Sequence, residues 1–199
     1  MLYPHFYTQV PPIKLYDPLS EFLGAFDDGQ LNISYLDCVK LAGHSCPTVA
    51  GAYLMAREGL KALYDDALPE RGSVKIEMKE NIEEGVTGVI CNVISFVLGA
   101  SDVSGFKGIQ GNFSRDNLVF FGVDIPTEVK LTRLDTEESV NLSYNPSSIK
   151  PNENMMPLMG KCLKGLASAE EKETFKKLWQ NRVEKILLST DNLITITKD

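Results

Sequence analysis

Two stretches without a lysine, arginine, aspartate or glutamate, residues 41–56 and 85–101, constrain the fold of this chain of 199 residues more than anything else in it. Each is shorter than the roughly 20 predominantly apolar residues that a bilayer span requires. Each is also interrupted by polar side chains, among them His44, Ser45, Thr87, Asn92 and Ser95. Segments that are apolar on nearly every side belong in a protein interior, as central helices covered by other elements. A chain of this length can provide that cover, because a fold of its size buries roughly 70% of the surface its extended form exposes. One main domain with an appendage is the expected organisation.

The flanking sequence supplies the rest of an α+β fold. Residues 18–26 predict a short helix that stops at Asp27-Asp28-Gly29. Residues 34–41 predict a second, broken by Gly43, and Pro47 opens a third that runs to about Tyr64. Residues 73–79 alternate apolar and charged side chains, as a half-buried strand does. Residues 118–123, 129–134 and 139–144 read as consecutive strands of an antiparallel sheet. The segment 145–157, with Pro146, Pro151 and Pro157, is too rich in turn formers to continue a regular element. It divides an α+β core, residues 1–145, from a helical C-terminal extension, residues 146–199, packed on that core. In the extension, residues 155–167 and 169–188 are helical, with Ser168 as N-cap, and residues 193–197 form a last strand.

Charge and cysteine usage exclude several classes of function. The formal charge is −7, and the basic residues are dispersed apart from Lys176-Lys177, so the footprint of a nucleic-acid binder is missing. The first residues have neither a basic region nor a continuous apolar run, which leaves the cytoplasm as the expected compartment and no membrane as a partner. Cys38, Cys46, Cys91 and Cys162 form no C-x-x-C pair, so reduced thiols are expected rather than a disulfide framework or a zinc ribbon.

The most informative site is residues 42–47, Ala-Gly-His-Ser-Cys-Pro. Pro47 suits the first helical position and drives Cys46 toward an extended backbone, which makes Cys46 the N-cap. There a thiol faces the unpaired N–H groups of the first turn, a setting that favours the anionic form that binds metals and attacks electrophiles. An imidazole two residues away, on His44, offers the nitrogen that pairs with sulfur in zinc sites. Two ligands do not complete a site. The third is sought in Cys91 on the other uncharged helix, in Glu80 or Glu83, or in a second copy of the chain. The competing reading is a small buried cysteine beside a hydrogen-bonded histidine.

Residues 43–56, Gly-His-Ser-Cys-Pro-Thr-Val-Ala-Gly-Ala-Tyr-Leu-Met-Ala, resemble the signature of the FmdE-like family, which takes its name from an association with formylmethanofuran dehydrogenase. That signature is H-G-H-x-C-P-G followed by small and apolar residues. The resemblance continues through Lys79-Glu80-Asn81, through the uncharged helix ending Val97-Leu98-Gly99, and more weakly to Gly108-Ile-Gln-Gly-Asn-Phe, covering about residues 30–125. It implies an α+β homodimer that binds zinc or a similar divalent ion. His44 stands at the family's second histidine and Cys46 at its cysteine, whereas Ala42 replaces the first histidine and Thr48 the glycine. Asn92 and Ser95 align with the family's Asp and Gln, and the cysteine that follows Glu-Asn-Asp in the family has no counterpart.

Two functions are therefore expected in competition. The first is a metal-binding protein in which His44 and Cys46, with Cys91, hold a zinc that keeps a position open for a small-molecule ligand, whether as enzyme, carrier or sensor. The second is a metal-free interaction protein or one dependent on the Cys46 thiol. A homodimer is expected in either case, since the two uncharged helices carry more apolar surface than one small domain covers.

Overall fold

The structure is a computed structural model that describes residues 3–198. The chain opens with a short 3-10 turn, His5–Gln9, and then a four-residue strand β1, Ile13–Tyr16, that pairs antiparallel with β2, Gln30–Ile33. Between them lies helix α1, Pro18–Phe22, capped by Asp17, whose carboxylate accepts from the N–H groups of Leu19 and Ser20. Strands of four residues give too little alternation to be recognised in the sequence.

Helix α2, Tyr35–Ala42, starts at a reciprocal capping box between Ser34 and Asp37 and ends at Gly43, whose φ of 74° continues the chain in the left-handed region open to glycine. Helix α3, Pro47–Tyr64, follows with Cys46 as its N-cap, as the sequence predicts. It is the centre of the molecule. Helix α4, Thr87–Leu98, packs on one side of α3 and the sheet on the other. The approach to the sheet is close because two glycines face it: a methyl group at Gly59 would lie 2.8 Å from Leu131 and Leu142, and one at Gly51 would enter the ring of Tyr144.

The main sheet runs in the order β4-β3-β5-β6-β7, with β3 Val74–Met78, β4 Val119–Phe120, β5 Val129–Arg133, β6 Ser139–Tyr144 and β7 Ile194–Lys198. Pairings such as Ile76↔Leu131, Leu131↔Val140 and Leu142↔Ile196 are antiparallel and put apolar residues on the helix side, all of them buried except the partly buried Ile196. One pairing departs from the expected sheet. β4 is a two-residue strand parallel to β3, because the connection between them passes through α4 and a helical crossover returns the chain in its original direction. Gly122, at φ 65°, then turns the chain away beside Asn81.

Helices α5, Met155–Leu163, and α6, Ala169–Leu188, follow the proline-bearing linker, and α6 begins at a capping box between Ser168 and Glu171. α6 seats Val183, Ile186 and Leu187 in the core, and β7 completes the sheet beside β6, so the C-terminal segment returns to the core sheet. All four cysteines are free thiols. Among the described residues no helix is long and apolar enough to cross a membrane.

Candidate functional site

The corner between α2 and α3 presents His44 at the surface. The ring Nδ1 lies 2.9 Å from the carbonyl oxygen of Ala42. A carbonyl can only accept, so Nδ1 carries the proton of this bond and the neutral ring keeps Nε2 as an acceptor. The histidine borders a cleft of about 640 Å³. One wall is the face of α4 formed by Val89, Asn92, Val93 and Phe96, at helical spacing i, i+3, i+4 and i+7. Leu19 and Ser20 of α1, Leu41 of α2 and Phe106 of the 99–117 loop complete the sides.

The floor of the cleft is an ionic cluster. Asp17, 2% exposed, accepts from Arg71 Nη1 at 3.1 Å and from Arg115 Nη2 at 2.6 Å. Arg71 also donates to the carbonyls of Phe96 and Val97, and Arg115 to that of Gly99, so both cations cap the C-terminal end of α4, where the helix dipole is negative. Burial alone would raise the Asp17 carboxyl, but the Ser20 N–H and the two guanidiniums outweigh it and hold the group below its ordinary range. The arginines are spent on these partners. In contrast, the side chains of Ser20, Asn92 and Ser101, which line the same cleft, make no hydrogen bond among the described residues.

His44, Cys46 and Cys91, the residues expected to hold a metal, form no group of three that could hold an ion among the described residues. His44 lines the cleft; Cys46 does not, and its sulfur accepts from the N–H of Val49 at 3.4 Å, as an N-cap does. Cys91 is buried inside α4 with its sulfur 3.6 Å from Ser95 Oγ, and burial pushes its thiol pKa up. Glu80 borders a different depression, beside Glu84 and Glu128. Among the described residues no three His, Cys, Asp or Glu side chains are grouped to hold an ion. The donor types suit zinc, and an imidazole whose Nδ1 is tied to a carbonyl is oriented as metal-bound histidines are. The described residues of one chain nevertheless do not complete a coordination shell.

What sequence reasoning missed is how the corner is held. Ser45, 8% exposed, is bonded on both its side chain and its carbonyl. Its hydroxyl donates to Gln180 Oε1 at 3.1 Å and accepts from Tyr35, whose hydroxyl is 2.9 Å away. Its carbonyl accepts from the indole N–H of Trp179 at 2.9 Å and from Gln180 Nε2 at 3.4 Å. Tyr7 adds a bond to Gln180 Oε1. An aspartate directly before a proline-initiated helix is a local cap signal, and Asp17 carries it. Its partners Arg71 and Arg115, like Trp179 and Gln180, lie too far along the chain for any spacing to reveal them.

Comparison with known families places a match to FmdE, described as the molybdenum formylmethanofuran dehydrogenase operon family, over residues 41–195. The match begins just before the His44 corner and extends well beyond the motifs, through α5 and α6 into β7. No curated protein matches the chain.

Proposed function

The chain belongs to the FmdE family, and on that footing we propose that it is a small-molecule-binding protein whose ligand occupies the cleft beside α4, with His44 as the group that contacts it. One observation carries this reading. His44, whose Nε2 is left free by the Nδ1 bond to Ala42, and the unengaged side chains of Asn92, Ser20 and Ser101 border a common space with largely apolar walls above the ionic floor. Ligand sites have this composition, an apolar enclosure with a few polar groups that fix orientation. The ligand class that fits has a planar or aliphatic body to lie on Val93, Phe96 and Phe106 and a polar head to reach His44 and Asn92. The floor sets two guanidiniums against one carboxylate, a net charge of +1 that the carbonyls at the end of α4 offset in part, so it accommodates a neutral or an anionic head.

The test is a titration of the labelled protein with small aromatic amides and alcohols, followed by amide and side-chain NMR. Shifts concentrated at residues 44, 89–96 and 106, and lost in His44→Ala and Asn92→Ala, are the expected result. Binding that maps elsewhere, or that survives both substitutions, overturns it.

A second reading is favoured by the ring orientation of His44, which frees Nε2. A zinc or similar divalent ion is held there with Cys46, and a second copy of the chain in a homodimer, or the ligand itself, supplies the remaining donors. Zinc added to freshly purified protein then reaches about one equivalent per chain, and His44→Ala and Cys46→Ser each abolish uptake. Well under half an equivalent, unchanged by either substitution, refutes it, and a solution mass near 22 kDa by light scattering removes the second copy as donor.

A further inference from the structure

We infer that Trp179 and Gln180 of helix α6 are positioning residues for His44, so that a helix far away in sequence sets the direction of the imidazole in the cleft. The inference rests on the reading of His44 as a ligand-contacting group. The link between α2 and α3 is a left-handed glycine, His44 and Ser45, and the histidine itself is exposed. Apart from the bond from the Gly43 N–H to Val39 that closes α2, and that of the His44 ring to Ala42, the corner is anchored through Ser45. Among the described residues, three of the four bonds on Ser45 are made with α6 and the fourth with Tyr35.

The support is rigid where it needs to be. Val183, Ile186 and Leu187 fix α6 in the core, while Trp179 is partly buried against it. The Gln180 amide is engaged at both ends: its oxygen accepts from Ser45 and Tyr7, and its nitrogen donates to the Ser45 carbonyl. Rotation of the Ser45 peptide would break the indole and amide bonds together. The carbonyl of Ser45 fixes the plane of the peptide that follows it, while the side chain fixes the residue next to His44. An orientation set by long-range bonds is retained when a ligand pulls on the imidazole, and in this sense α6 belongs to the site.

The chain has one tryptophan and two histidines, which makes the test direct. Trp179→Phe keeps an aromatic ring and removes only the indole donor; Gln180→Met removes the amide and keeps its length. Val183→Ala loosens the seat of α6 without touching Ser45 and serves as the control. Three readouts are taken: imidazole nitrogen chemical shifts of His44, its rate of modification by diethyl pyrocarbonate with His5 resolved separately, and zinc affinity by calorimetry. Trp179→Phe and Gln180→Met should each shift the His44 tautomer signal and change its modification rate about fivefold, the effect of losing one hydrogen bond of ordinary strength. Val183→Ala should lower the melting temperature and leave the His44 signals in place. If Trp179→Phe proves poorly folded, Gln180→Met, which removes the amide bonds to Ser45 and Tyr7, carries the test by the same shifts and modification rate. The inference is overturned if both network variants fold and leave the His44 shifts and modification rate at their original values. If those readouts move while neither zinc nor any small molecule binds the parent chain, the positioning role stands and the proposed function fails.

Discussion

Replacing Asp17 with alanine should be among the most damaging single changes to the cleft. Asp17 Oδ1 accepts from Leu19 N–H, Ser20 N–H and Arg115, and Oδ2 accepts from Arg71. With the carboxylate gone, the first turn of α1 loses its cap, which costs about 1 kcal/mol. Two guanidiniums then lose their counter-charge, one with a side chain 9% exposed and the other 21%. Breaking a buried pair in this way costs about 3–5 kcal/mol. The two effects share one group and do not add fully, so about 4 kcal/mol is expected, or a drop of about 8–16 °C in melting temperature for a domain of this size. Asp17→Asn keeps an oxygen for the cap and should fall between the parent and alanine.

The pH dependence provides a second, independent check. The native Asp17 carboxyl titrates below its unfolded value of about 3.9, so its stabilisation is present above that value and is lost as pH falls through the native one. The deficit of Asp17→Ala relative to the parent should be constant from pH 7 to about 5 and should narrow below 4. Urea denaturation followed by circular dichroism, run at pH 7, 5 and 3.5, measures both. A deficit under about 1 kcal/mol at pH 7, or one that stays the same at pH 3.5, would show that the cluster does not hold the floor of the cleft as argued.

Two further outcomes test the packing around the corner. Gly51→Ala places a methyl group 2.7 Å from Tyr144 Cζ and closer to two other ring atoms, so α3 must lift from β6. A loss of about 1–3 kcal/mol in urea is expected, and a change within about 0.5 kcal/mol would refute the close approach. Cys38, with 0% exposure, has its thiol pushed up to about 12 by burial, with Asp37 adding to the effect. At pH 8 iodoacetamide should therefore label the partly exposed Cys162 in native protein and reach Cys38 only after unfolding, and comparable native rates at the two thiols would contradict the burial.

Much of the helical framework is readable from local order along the chain. Ser34, Cys46 and Ser168 cap helices through bonds to the N–H three residues ahead, a geometry that depends on near neighbours alone, and so α2, α3 and α6 begin where the sequence predicts. The alternation in β3 and the uncharged runs that become α3 and α4 are equally legible, because burial on one face or on all faces leaves a period in the residues themselves. The family, too, is visible in the residues around His44 and Cys46. Direction and partnership are not. His44 and Cys46 are two residues apart, yet one faces a cleft and the other caps a helix, because a corner residue points where its backbone turns, and that turn is held from α6. The parallel placement of β4, the return of β7 to the sheet and the joining of Asp17 to Arg71 and Arg115 are of the same kind. Each depends on groups tens of residues apart meeting in one place, and only the packed chain decides which of them meet.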